Sequence, residues 1–204
     1  MIRIKRSILP LMLLGASLAL PAQSRDGWQA GAGLSMAMDS MKEYTHQTLG
    51  LSLQGDYQKM IADSPTAWRL GMEYDAFPGS SQNGRKISLQ DLQIHGDVVI
   101  PLFSSKVSLV AGMSLNTWIR QVSGSDAFDP TQSNNVSGSV HRAFGKLGFR
   151  TGFERAVDEH LAIQVMFQIT ELGTDNEFLK NGDPVWGKSA VNPSWVGVSA
   201  RYRF

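Results

Sequence analysis

The chain has 204 residues, and its 19 Lys and Arg against 18 Asp and Glu give a formal net charge of +1. This near-neutral balance offers no basic surface for nucleic acid, so no nucleic-acid partner is expected. The chain contains no Cys, which excludes a disulfide framework, a cysteine zinc site and the cysteine to which a lipoprotein's lipid is attached. Its 20 Gly indicate short strands and turns rather than packed helices.

The first segment is typical of an export signal. Three basic residues lie within the first six positions, and Ile8–Leu20 is an apolar run. Ala22 and Ser24 form a small-x-small cleavage pattern, with cleavage after Ala22 as an alternative. The apolar run is shorter than the roughly 20 residues of a spanning helix, which disfavours an uncleaved anchor. The sequence therefore predicts a signal peptide at 1–24 and one domain at 25–204.

After this signal, apolar and polar residues alternate in segment after segment, the pattern of strands with two different faces. Ahead of the fourth segment, Ile87 and Leu89 lie in the opposite phase, so a bulge or boundary is expected near Asp91. Eight strands are predicted, at about 28–38, 48–60, 68–76, 92–100, 107–116, 143–154, 161–170 and 196–204.

The connections alternate in length. Short ones follow strands two, four and six, around Asp63–Pro65, Phe103–Ser105 and Val157–Glu159. Longer ones follow the other strands and cover Asp39–His46, Pro78–Lys86, Arg120–Ser139 and Leu172–Asn192. Short periplasmic turns and long external loops are typical of outer-membrane barrels. The predicted fold is therefore all-β, an eight-stranded antiparallel up-and-down transmembrane β-barrel.

The polar face of these strands carries charges of both signs, which lipid cannot accommodate but a narrow lumen can pair. The expected lumen charge network is Asp56, Arg69, Glu73, Asp75, His95, Asp97, Lys146, Arg150, Glu154, Arg201 and Arg203. On the apolar face, aromatic residues collect at the predicted periplasmic strand ends, as in the girdles of membrane barrels. The expected girdle is Trp28, Tyr57, Trp68, Phe153, Tyr202 and Phe204.

The last strand places Val196, Val198, Ala200, Tyr202 and the terminal Phe204 on one face. It resembles the closing strand of the small bacterial outer-membrane barrels typified by OmpA and OmpX. The resemblance implies a location in the cell outer membrane, with outer-membrane lipid around the barrel. It also implies insertion by the barrel-assembly machinery, which recognises the C-terminal strand.

An eight-stranded barrel has an interior just wide enough for side chains, so an open porin channel is not expected. The lumen charges are interpreted as structural pairs, with a narrow gated ion path as an alternative. Ser139 and His141 are the best candidates for lipid-modifying catalysis at the outer rim, but no partnering acid is evident. Asp126 and Asp129 are interpreted as solvated loop acids rather than a Ca²⁺ site. No catalytic, metal or cofactor site is predicted.

Long loops on a rigid barrel often carry binding residues, so an extracellular ligand or partner is expected there. The leading hypothesis is a structural or surface-interaction barrel without enzymatic activity. A soluble periplasmic ligand-binding barrel is an alternative, in which Leu51, Leu70 and Val165 would face an internal cavity.

Overall fold

The computed structural model describes residues 26–38, 41–42, 45–82, 85–102, 106–124, 140–170 and 193–204. The predicted signal peptide and most of the third and fourth long loops lie outside these residues. The strands are β1 (Gly27–Ala37), β2 (Leu49–Met60), β3 (Ala67–Phe77), β4 (Ser81–Gln82), β5 (Arg85–Pro101), β6 (Val107–Gly124), β7 (Val140–Ala156), β8 (Leu161–Thr170) and β9 (Ser194–Arg203).

The strands close into one barrel. Their order is β3-β2-β1-β9-β8-β7-β6-β5, every neighbouring pair is antiparallel, and pairing of β3 with β5 closes the ring. The two-residue β4 pairs with the start of β5 and is not one of the strands that form the ring. When the residue pairing is followed from strand to strand once around the barrel, it returns to β3 about ten residues from its starting point. The strands are therefore tilted relative to the barrel axis. The prediction of an eight-stranded up-and-down barrel is confirmed.

The two ends of the barrel differ, and they are named here by their connections. The turn end carries the short turns after β2, β5 and β7, together with Asp26 and Phe204. In the first of these turns the Ile61 amide donates to the Thr66 carbonyl at 3.0 Å, and Asp63 adopts a left-handed φ of 59°. The loop end is the opposite end, where the longer connections lie.

Side-chain burial alternates along the strands, with the apolar side chains on the outer surface. Leu51, Leu70 and Val165 are 63%, 56% and 43% exposed, so they do not line a cavity. The soluble ligand-binding alternative is therefore wrong, because its defining residues point outward. A continuous apolar outer face on a closed barrel is the arrangement that lipid requires, since the backbones of neighbouring strands are paired all the way around the ring.

The expected bulge near Asp91 is wrong. Strand β5 pairs without interruption to both neighbours, and Asp91 lies opposite Asp75 on β3 and Trp118 on β6. Leu89 is fully buried inside the barrel and lies opposite Phe77. The apparent phase change arises because the lumen itself becomes apolar at the loop end, not because the strand shifts.

Strands β5, β6 and β7 are longer than predicted, with 17, 18 and 17 residues. The expected loops Pro78–Lys86 and Arg120–Ser139 are correspondingly shorter, because β5 begins at Arg85 and β6 continues to Gly124. Backbone pairing of these strands therefore continues beyond the segments in which the sequence alternates clearly between apolar and polar residues. In the described part of the chain, no helix is long and apolar enough to cross a membrane.

Candidate functional site in the barrel lumen

The lumen near the turn end holds a balanced cluster of two acids and two guanidinium groups. This turn-half cluster is Asp56 on β2, Arg69 on β3, Glu154 on β7 and Arg201 on β9. Arg69 Nη2 lies 2.8 Å from Glu154 Oε2, and Arg69 Nε lies 3.4 Å from Asp56 Oδ1. Arg201 also pairs with Asp56, and its Nη1 lies 3.6 Å from Glu154 Oε2. Each acid therefore contacts both guanidinium groups.

Two glutamines extend this cluster. Arg69 Nη2 donates to Gln58 Oε1 at 2.8 Å, and Gln164 Nε2 donates to Glu154 Oε2 at 3.4 Å. These contacts are formed by inward-facing positions on five different strands, which the closed ring brings within side-chain reach. Burial strengthens each pair and also makes an unpaired member costly, since no water can replace a missing partner.

The lumen nearer the loop end is different in charge. This loop-half cluster contains Glu73, Asp75, Asp91, His95, Asp97 and Arg150, all nearly or fully buried. Arg150 Nη1 lies 2.9 Å from Glu73 Oε2, and Arg150 Nε lies 3.2 Å from Asp97 Oδ1. His95 Nδ1 lies 3.1 Å from Asp97 Oδ2. Four acids therefore face a single guanidinium and one imidazole.

The remaining two acids of this half are neighbours on β3 and β5. Asp75 accepts hydrogen bonds from Ser35 Oγ at 2.7 Å and from Gln93 Nε2 at 3.1 Å. Asp91 is 0% exposed, and neither of its carboxylate oxygens has a hydrogen-bond partner among the described residues. Asp75 thus has polar partners, whereas its cross-strand neighbour has none in this part of the chain.

An apolar layer covers the loop-half cluster on the side of the loop end. This loop-end layer is formed by Ala37, Met41, Phe77, Leu89, Trp118 and Trp195, each at most 2% exposed. The indole Nε1 atoms of Trp118 and Trp195 have no hydrogen-bond partner among the described residues. The two tryptophans lie inside the barrel, so they fill the lumen rather than meeting lipid.

The structure brings most of the predicted lumen residues together but not all of them. Nine of the predicted charges form the two clusters, whereas Lys146 and Arg203 are only half-buried. Sequence reasoning missed Asp91, although it shares its phase with Gln93 and His95 on the same strand. Extending the alternation of the fourth segment by one step, instead of assuming a bulge, would have found it.

The predicted girdle residues lie on the outer face at the turn end. Trp28 and Tyr57 make an edge-to-face contact with ring centroids 5.3 Å apart, and Tyr57 lies 6.1 Å from Trp68. Tyr202 and Phe204 form a second edge-to-face pair at 5.4 Å. Phe153 is 54% exposed on the same outer surface.

The residues considered for catalysis or metal binding do not form a site in the described part of the chain. His95 is in the lumen, and His160 stacks on Tyr202 at the turn end, 5.6 Å between ring centroids. Ser139 lies outside the described residues, as do the side chain of His141 and the loop acids Asp126 and Asp129. Across the described ranges, no group of three or more His, Asp or Glu could hold a metal ion.

A closed eight-stranded barrel with an apolar outer face and buried internal charges defines the class, an integral outer-membrane-type β-barrel. No family model matches the chain, and no curated protein matches it significantly. Solved structures do. The chain is similar to neisserial surface protein A at 15% identity, with a TM-score of 0.56, covering 88% of this chain and 97% of that one.

Two further solved structures have the same fold. The attachment invasion locus protein Ail of Yersinia pestis matches at 11% identity with a TM-score of 0.53, covering 88% of this chain and 97% of that one. OprG of Pseudomonas aeruginosa matches at 11% identity with a TM-score of 0.51, covering 88% and 96%. The expected OmpA- and OmpX-like barrel is confirmed at the level of fold.

Proposed function

We propose that this protein is a non-enzymatic outer-membrane barrel with a closed lumen, which makes its contacts with other molecules from the loop end. The turn end is then periplasmic, the loop end extracellular, and the predicted leader at 1–24 the export signal. The aromatic residues at the turn end serve as the interfacial girdle, and the closing strand with Phe204 is the segment that the assembly machinery recognises.

The observation that carries the closed lumen is the burial of its charges. Arg69, Arg150 and Arg201 are at most 1% exposed, and each is ion-paired across the lumen. A water-filled pore would leave such groups accessible. The loop-end layer of apolar side chains adds a second obstacle, because an ion crossing it would lose its hydration without gaining polar partners. In the gated-pore alternative, both the ion-paired arginines and the loop-end layer would have to rearrange before an ion could pass.

The observation that favours contacts at the loop end is the extension of three strands beyond their neighbours. Strand β3 ends opposite Leu89 and β8 ends opposite Gly148, so the loop-end parts of β5, β6 and β7 continue past both. These parts contain Arg85, Lys86, Arg120, His141, Arg142 and Lys146 and no Asp or Glu. The backbone register sets Arg120 directly opposite Arg142. Concentrated positive charge of this kind favours an anionic partner.

One structurally similar protein, Ail of Yersinia pestis, was solved in complex with the heparin analogue sucrose octasulfate. At 12% identity that likeness concerns the fold, so the anionic partner proposed here depends on the charges of this chain. A polysulfated saccharide is nevertheless a suitable probe, since it presents many negative charges on a compact scaffold.

Two measurements test the proposal on the refolded full-length barrel. In planar bilayers we expect no steady ion conductance, and a stable conducting level would contradict the closed lumen. In zwitterionic detergent we expect a fluorescent polysulfated saccharide to bind, with an affinity that falls as salt screens the charges. The double variant Arg120→Ala/Arg142→Ala should weaken binding about tenfold or more, if each charge contributes on the order of 1 kcal/mol.

The matched control removes two exposed basic residues at the turn end, Lys59→Ala/Arg155→Ala. This variant has the same net charge as the loop-end variant and should bind like the unmodified protein. Equal loss in both variants would show that only overall charge matters and would contradict a contact surface at the loop end.

A further inference from the structure

The acid excess of the loop-half cluster calls for a compensating charge. Glu73 and Asp97 are engaged by Arg150, and Asp97 also by His95. Asp75 and Asp91 have no cation of their own among the described residues. A bare carboxylate removed from water is strongly disfavoured, so buried acids are ion-paired, bound to a cation or neutralised by a proton.

Asp91 is the acid of this cluster whose charge is least compensated by the described residues. It is fully buried, its two oxygens have no hydrogen-bond partner among the described residues, and it faces Asp75 directly across the β3–β5 pairing. On its other side lies Trp118, whose indole N–H is also buried and without a partner in the described residues. The loop-end layer separates this pair from the loop end. Among the described residues, no side-chain cation pairs with Asp91 to offset this second negative charge, so a bound positive charge would do so.

We propose that the Asp75–Asp91 pair is a cation site that binds one positive charge, a proton or a small metal cation. The site is independent of the proposed surface contacts. Because the described residues offer no third acid or histidine arranged for metal binding, we expect the bound charge to be a proton on one of the two carboxyls. A proton needs only one carboxyl group, whereas Ca²⁺ and Mg²⁺ take six or more oxygen ligands.

The charged and titratable groups around Asp91 come from three strands. Strand β3 contributes Glu73 and Asp75, and β7 contributes Arg150. On its own strand, His95 and Asp97 lie further toward the turn end. Other strands contribute the hydroxyl groups of Ser35 on β1 and Ser52 on β2 and the indole N–H of Trp118 on β6, none of which carries a charge.

The experiment uses the refolded full-length barrel in detergent at neutral pH. Infrared difference spectra between the unmodified protein and Asp91→Asn reveal whether a protonated carboxyl is lost. A second pair of spectra uses Asp75→Asn. The control is Asp63→Asn, an exposed turn acid with a left-handed φ that Asn also accepts. In parallel, the urea midpoint of unfolding is measured with sodium, potassium, magnesium or choline chloride at constant ionic strength.

If a proton occupies the site, one protonated-carboxyl band is present without metal ions and is lost in Asp91→Asn or Asp75→Asn but not in Asp63→Asn. If a metal cation occupies it, that band is absent, and the midpoint of the unmodified protein rises with one metal ion relative to choline. The Asp91→Asn variant then loses this dependence. Absence of both the band and the metal-ion dependence would overturn the proposal. Failure of Asp91→Asn and Asp75→Asn to fold would also overturn it, because each substitution removes an excess buried charge and should be tolerated.

Discussion

The two halves of the lumen are built from the same residue types but differ in charge balance. In the turn-half cluster, Arg69 and Arg201 share Asp56 and Glu154, so each acid has two cationic partners. In the loop-half cluster, Arg150 and His95 pair only with Glu73 and Asp97, and the other two acids have no ion pair among the described residues. A network with equal numbers of acids and cations is neutral and simply fills the lumen. A network with excess acids needs an additional positive charge to neutralise it.

The largest effect that this comparison predicts is for Arg150→Ala. The variant leaves Glu73 and Asp97 buried without a guanidinium, and removing one member of a buried pair costs about 3–5 kcal/mol. We expect this loss in the free energy of unfolding, measured by urea titration in lipid vesicles. The control Arg155→Ala removes an exposed arginine from the same strand and should cost under about 1 kcal/mol. Similar losses in the two variants would contradict the single-cation view of this half.

The next prediction concerns the loop-end layer above the same cluster. Trp118→Ala should lower the free energy of unfolding by about 3 kcal/mol, because it leaves a large cavity in a fully buried apolar layer. Trp118→Phe retains most of the packing and should recover much of that loss. If both variants matched the unmodified protein in the same urea titration, the layer would not contribute to stability.

A smaller effect is expected for Arg201→Ala in the turn-half cluster. Arg69 still contacts both acids in this variant, so the loss should be about 1–3 kcal/mol and below that of Arg150→Ala. A double-mutant cycle with Arg69→Ala measures the coupling directly. The redundancy predicts that the double variant loses more than the sum of the two single losses. Strict additivity would show that the two guanidinium groups act separately.

The smallest effect is expected for Asp158, an exposed acid in the turn after β7 that serves as a reference for the buried ones. The backbone amides of His160 and Leu161 donate to its Oδ1 at 2.8 and 2.7 Å and lower its pKa. Its contribution to stability is therefore present above the unfolded pKa of about 3.9 and is lost as pH falls through the folded value.

Asp158→Asn should accordingly be slightly less stable than the unmodified protein at neutral pH. The difference should shrink as the pH is lowered below about 4, which urea titrations at several pH values can follow. A difference that stays constant with pH would mean that the carboxylate charge is not what the two amides recognise.

The sequence predicted the outer surface better than the interior. Alternation in segments such as Trp68–Ala76 identified the lipid-facing side chains, because lipid imposes an unbroken apolar face. No single rule of this kind applies to the side chains that fill the interior. Leu89, Trp118 and Trp195 fill it at one end and Asp91 in the middle, so a change from apolar to polar along one strand looked like a change of phase.

The amino-acid sequence by itself determined the number of strands, their antiparallel order, the side that meets lipid and most of the charges that lie inside. Only the tertiary structure decided which charges meet. Arg201 pairs with Asp56 two strands away, and Arg150 reaches Glu73 across the lumen, contacts between residues 145 and 77 positions apart. These pairings depend on the stagger that closes the ring, which sets the height of each side chain relative to the others. That stagger balances one half of the lumen and leaves Asp91 without a partner among the described residues.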